Sequence, residues 1–224
     1  MNQINSRLVY KSALRAMLRA GANPESAILS QSFLRFEVLA STNKTNYQFG
    51  VLVNDAPQGN QPRINENRLN LQDAFYVGSV GVYTALASSA TATDYTYDTY
   101  PNRFKYTTAG AATALHNFYN GVMSLTVNNR VITPSWSVMR HLNVPQTQQA
   151  NALGAGIPLD QFDGSEYTQF PCEPNWVLIG SKNNQLQIQL PAAIGTLQAT
   201  PAGTVTILAI ELRGILAQNV TVVS

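Results

Sequence analysis

The chain has 224 residues and a net charge of +2, and only 12% of its residues are charged, about half the usual share. A chain of this length buries roughly 70% of its unfolded surface, so it folds without a staple. The one cysteine, Cys172, excludes an internal disulfide and a thiolate metal cluster. Asn, Gln, Ser and Thr carry the polar surface instead. That suits either a low-charge soluble protein or a subunit covered by neighbours, because burying amides and hydroxyls costs less than burying ions.

Residues 6–20 read as a helix. Ala and Leu are abundant, no proline interrupts, Ser6 can cap the start, and Gly21 stands at the C-cap with Pro24 beyond. Tyr10, Ala13, Leu14, Met17 and Leu18 share an apolar face. Arg7, Lys11, Arg15 and Arg19 follow at intervals of four as a basic ridge, with no acid in the first twenty residues. Such a ridge suits weak contact with nucleic acid, anionic lipid or an acidic patch on another subunit. It equally suits a helix packed on the body with its charges solvated. No apolar leader core precedes it, so a secretory signal is not expected.

Leu34, Phe36 and Val38 alternate with Arg35 and Glu37, and Tyr47 to Val53 reads as a return strand after a polar turn, predicting a β-hairpin. Residues 55–67 form an exposed loop, and Phe75 to Tyr83 is a further strand. The irregular stretch 84–113 holds Tyr95, Tyr97, Tyr100 and Tyr106 beside Phe104. These tyrosines make either a contact surface or a loop folded back over the body. A short helix is expected over 111–119, then a hairpin turning at Asn128-Asn129. The tract 134–174 reads as excursion and loop, anchored by Trp136 and Phe162.

The last third carries the strongest pattern. Leu186, Ile188 and Leu190 alternate with Gln185, Gln187 and Gln189, a strand with one wet face. Residues 204–212 have little wet face apart from threonine and Glu211, so this strand is central between two layers or covered by another chain. Gly214 marks a bulge before a short strand ending at Val223. The predicted class is mainly β: a β-sandwich of jelly-roll or Greek-key type with an N-terminal amphipathic helix and long irregular loops. Residues 1–30 form the helical arm and 31–224 one sandwich, with insertions at about 84–113 and 134–174. The uncharged runs 74–93 and 183–210 are too interrupted by Ser, Thr, Gly, Gln and Asn to span a membrane.

Chemistry is thinly signalled. His116 and His141 form no HxH or HExxH pattern, and Asp94 and Asp98 have too few oxygen ligands nearby for calcium. Asp163 and Glu166, with Asp160 close by, would need a cleft to act as a glycosidase pair. No nucleophile elbow, Walker loop or dinucleotide fingerprint occurs. Cys172 reads as a plain buried thiol. No catalytic, cofactor or metal residue is therefore expected, and the chain is not expected to be an enzyme. A carbohydrate-binding or adhesin module is the alternative, with Trp136, Trp176, Tyr95, Tyr97 and Tyr100 as sugar platforms.

In outline the chain resembles jelly-roll bacteriophage virion (capsid) proteins. The basic helix from Arg7 to Arg19, an early strand at 33–38, a late one at 204–212 and the Asn/Gln/Thr/Tyr-rich surface carry the resemblance. It implies a structural protein of the virion that self-assembles as a homo-oligomer around symmetry axes. Tyr95, Tyr97, Tyr100 and Trp136 would then lie in inter-subunit or ligand-contacting loops. Arg7, Lys11, Arg15 and Arg19 would face genome, internal membrane or a neighbouring virion protein.

Overall fold

The computed structural model describes residues 3–51, 68–101, 106, 109–143, 168–195, 197 and 203–222. Helix α1 (Gln3–Arg19) leads through β1 (Ala22–Asn23) into β2 (Ile28–Leu39), β3 (Asn46–Gly50), β4 (Ala74–Ala87) and the short β5 (Tyr97–Asp98). Helix α2 (Ala109–Tyr119) precedes β6 (Val122–Val127), β7 (Arg130–Ser137) and a 3-10 turn over Val138–His141. The chain continues through β8 (Phe170–Ile179), β9 (Asn184–Gln189), β10 (Val205–Gln218) and β11 (Thr221–Val222). The fold is mainly β, with a curled, open half-barrel sheet.

The antiparallel pairs nest inside one another. Strand β2 lies beside β10, β3 beside β9, β4 beside β8, and β6 beside β7. Two further ladders, β10 on β4 and β9 on β6, join these pairs into sheets ordered β2-β10-β4-β8 and β3-β9-β6-β7. Strand β5 adds to the far end of β4, and β1 pairs with β11.

Both sheets contribute to one core. Phe36, Phe75, Val82, Leu208, Ile210 and Leu212 of the first sheet share it with Tyr47, Phe49, Met123, Leu125, Leu186 and Ile188 of the second. Burial of each such side chain contributes about 1.5–3 kcal/mol. The alternation in β9 works as read: Leu186 and Ile188 are buried, whereas Gln189 is exposed. In β10 the inward face is Leu208, Ile210 and Leu212, and on the other face Ile207 sits among Ala85, Ala87, Leu39, Tyr95 and Tyr97. The strand without a wet face is thus covered by the chain's own tyrosine excursion.

The bulge lies where the β10–β4 ladder slips between Arg213 and Gly214, and the unpaired residue is Gly78 on β4. It changes which alternate residues of β4 face inward, from Phe75 and Val77 to Val80 and Val82. Gly214 is required there because a Cβ would stand 1.8 Å from the Tyr76 carbonyl oxygen.

Helix α1 docks on the same sheet through Ala13 and Met17, which pack with Ala74, Tyr76, Ile179, Ile215 and Ala217. Gly21 ends it at φ 89°, its N–H donating to the Leu18 carbonyl at 3.1 Å. Leu18, expected on the apolar face, is 54% exposed, because the buried stripe is narrower and centred on Ala13 and Met17.

The expected hairpin between residues 34 and 53 does not form. Strand β2 pairs along its whole length with β10, and β3 crosses to the other sheet to pair with β9. The chain between them must change sheets so that Tyr47 and Phe49 reach the core from the opposite side. The hairpin turning at Asn128-Asn129 does form, with both asparagines at positive φ. Regular structure also runs further than expected: β2 begins at Ile28, β4 reaches Ala87, β7 reaches Ser137 and β10 continues through the bulge to Gln218. The loop 55–67 lies outside the described residues.

Candidate functional site

Three groups of side chains were open to a functional role, and the fold places each differently. The tyrosine excursion lies over the outward face of the first sheet, where Arg35 and Glu37 of β2 adjoin Glu211 and Arg213 of β10. Glu37, 2% exposed, accepts hydrogen bonds from the hydroxyls of Tyr95, at 2.5 Å, and Tyr97. Arg35 Nε lies 3.6 Å from the same carboxylate, and its guanidinium stands 5.2 Å from the Tyr97 ring centre. Glu211 accepts from Arg213 Nε at 2.7 Å and from Gln169 Nε2 at 3.3 Å, and Gln169 also donates to the Tyr83 hydroxyl at 2.8 Å.

Burial, reinforced by the negative charge of Glu37, pushes the Tyr97 hydroxyl far above its ordinary value. It remains a donor at any ordinary pH. Tyr95, Tyr97 and Tyr100 are all half-buried, and the first two spend their hydroxyls on Glu37. The network therefore fastens the excursion to the sheet. Its two carboxylates are held by arginines of the same chain.

The indoles lie in the core. Trp136 stands on β7 at 9% exposure and Trp176 on β8 at 3%, their ring centres 5.7 Å apart and edge to face. Trp136 also donates to His141, whose imidazole is buried and meets Phe170 edge-on at 5.1 Å. Neither indole presents a face to a sugar, and Trp136 belongs to the core rather than to a contact loop. The loop position expected for it fails because β7 extends far enough to carry it inward. Cys172 is also buried, which pushes its thiol up to about 12, away from nucleophilic use at neutral pH.

The third group is basic. Lys11, Arg15 and Arg19 of α1 line a groove of about 1060 Å³ that continues to Arg130 of β7 and to Lys182 in the turn before β9. Its floor is small and apolar: Ala16, Ala20, Val177 and Ile179. Lys182 Nζ donates to the Ala20 carbonyl at 2.9 Å, where the helix dipole favours a cation. Arg7 belongs to the same helix, but its side chain lies outside the described residues. Arg130 and Lys182 carried no sequence signal for this site, since Arg130 opens β7 and Lys182 stands in a turn, both far along the chain from the helix.

Among the described residues no group of three His, Cys, Asp or Glu side chains could hold a metal ion. His116 is exposed and far from His141 in environment. Asp160, Phe162, Asp163, Glu166 and Phe104 lie outside the described residues. No helix among the described residues is long and apolar enough to cross a membrane. No family model, curated protein or solved structure matches the chain.

Proposed function

We propose that this chain is a virion shell subunit built on a jelly roll, self-assembling through its sheets and loops. The observation that carries the reading is the nesting of four antiparallel pairs, β2/β10 outermost and the β6/β7 hairpin innermost. The orders β2-β10-β4-β8 and β3-β9-β6-β7 support it, since they are those that a long hairpin would give if rolled up into a double-sheet jelly roll, with β10 meeting β4 and β9 meeting β6. Shell proteins are one established use of that fold, and because fold alone does not fix function, the surface has to supply the rest.

Two surface features support assembly. The outward face of the second sheet sets Gln48, Gln187 and Ser124 in one cross-strand row and Gln185 beside Thr126 in the next, with no ionisable group in either row. A face of amides and hydroxyls can be buried against another subunit without stranding a charge. Exposed Ile28, Phe33, Val131, Ile132 and Met139 add apolar contact area.

The test is the mass of the purified chain by light scattering over a concentration series, with electron microscopy of any large species. A defined oligomer or closed particles is the expected result. A monomer at every concentration would overturn the shell reading and move weight to glycan binding by the tyrosine loop.

A further inference from the structure

We propose that the groove between α1 and the β6–β7 hairpin is a binding site for the phosphodiester backbone of single-stranded nucleic acid. Five of the chain's fourteen Lys and Arg residues, Lys11, Arg15, Arg19, Arg130 and Lys182, line this one recess. Among the described residues no carboxylate lines it and none of the five forms an ion pair. Elsewhere on the first sheet the same chain balances Arg35 and Arg213 against Glu37 and Glu211. The described lining of the groove lacks that balance.

The cations come from a helix, a hairpin and a separate turn, converging from several sides. A helix with a merely solvated basic face would not need Arg130 and Lys182 opposite it. Like charges gathered around one recess repel, and a polyanion relieves that repulsion while releasing its own counterions. The apolar floor of Ala16, Ala20, Val177 and Ile179 displaces water and strengthens each ionic contact above it.

The shape selects among anions. A recess of about 1060 Å³, near the upper size of a small-ligand pocket, accepts a few nucleotides of one strand and excludes a duplex. Among the described residues no aromatic side chain lines it, so these offer bases no stacking platform and recognition falls on phosphates, independent of sequence. A bilayer surface fits less well, because it engages a projecting apolar ridge rather than cations set around a recess.

The site does not rest on the shell reading, and its test is separate from any assembly assay. The full chain is titrated against fluorescein-labelled oligothymidine and oligouridine of about 12 nucleotides, read by anisotropy between about 50 and 200 mM salt. Both oligonucleotides should bind similarly, with a log–log salt slope of about −3.5 if all five cations neutralise a phosphate. Arg15→Glu combined with Arg130→Glu should weaken binding at least about tenfold and flatten the slope by about 0.7 per lost contact. Where that double reversal lowers the melting temperature, Arg15→Gln with Arg130→Gln should give the same flattening without the fold penalty. Unchanged affinity in a folded variant would overturn the proposal. So would failure of the wild-type chain to bind either oligonucleotide. Capture by phosphatidylserine vesicles without oligonucleotide binding would overturn it in favour of a membrane contact.

Discussion

Trp136 Nε1 donates to Nε2 of His141 across 2.9 Å, inside a core from which water is excluded. That bond requires Nε2 to be unprotonated, so the ring proton sits on Nδ1, which donates to the Thr168 carbonyl at 3.3 Å. Burial lowers the His141 pKa from 6.5 to about 4, against a smaller opposing pull from the Thr168 carbonyl. The unfolded chain binds this proton first as pH falls. The contribution to stability is therefore complete above about pH 6.5 and is lost progressively down to about pH 4. The loss should be on the order of 3 kcal/mol. Urea unfolding at several pH values should show it, and His141→Phe should be less stable near neutrality, by about 1–3 kcal/mol for the orphaned indole N–H, yet flatter across that window. An unaltered pH profile in the variant would assign the acid sensitivity to another group.

Glu211 receives Arg213 at 2.7 Å and lies 3.9 Å from Arg35, both from its own chain. Glu211→Leu should therefore destabilise the single subunit, whatever its state of assembly, because it leaves Arg35, 12% exposed, beside an apolar side chain. A fully buried broken pair costs about 3–5 kcal/mol; Arg213 is 37% exposed and partly solvated, so about 2 kcal/mol is expected. Denaturant titration of Glu211→Leu and Glu211→Gln checks this. A neutral Glu211→Leu would mean that water already screens the cluster.

What was legible in the sequence follows from range. The alternation of Leu186, Ile188 and Leu190 against glutamines is local, and it predicted β9 with its wet face correctly. The Asn128-Asn129 turn and the Gly21 cap are local as well, and both appear where the residues placed them. The pairing of Phe36 with Ile210 is not local, and hydrophobic pattern alone cannot choose a partner strand so distant. Chain proximity favoured β3 instead and gave a hairpin that does not exist. The same limit hid the network on the outward face of the first sheet, where Tyr97 reaches Glu37 across sixty positions, and the groove, where Lys182 meets the carbonyl of Ala20. The basic ridge was legible on α1; its counterpart cations were not.

The hydroxyls of Tyr95 and Tyr97 both end on the buried carboxylate of Glu37, so the excursion should resist removal more than a surface loop would. Tyr97→Phe keeps the ring against Tyr83, at 5.8 Å, and deletes only the donor. A hydrogen bond to a charged partner is worth about 1.5–3 kcal/mol, and the half-buried position of Tyr97 points to the lower end. Native-state hydrogen exchange should report faster opening around residues 92–98, with the β9 amides unaffected. Equal exchange in Tyr97→Phe and the unmodified chain would show that ring packing alone holds the excursion.

The turn between β6 and β7 offers a stabilising change. Asn128 and Asn129 have φ of 46° and 62°, the left-handed pair that a two-residue hairpin turn demands. Asparagine tolerates this region and glycine occupies it without steric cost. Asn129→Gly should therefore raise stability by about 0.5 kcal/mol, the steric gain being partly offset by a freer unfolded chain. Asn128 is not interchangeable with its neighbour, because its Oδ1 accepts the N–H of Asn183 at 2.9 Å and ties the hairpin to the turn before β9. Asn128→Gly gives up that bond, worth about 1 kcal/mol, and should come out neutral or destabilised. Thermal melts of the two variants side by side separate turn geometry from the tether, and equal effects at both positions would show that the Asn183 contact contributes nothing.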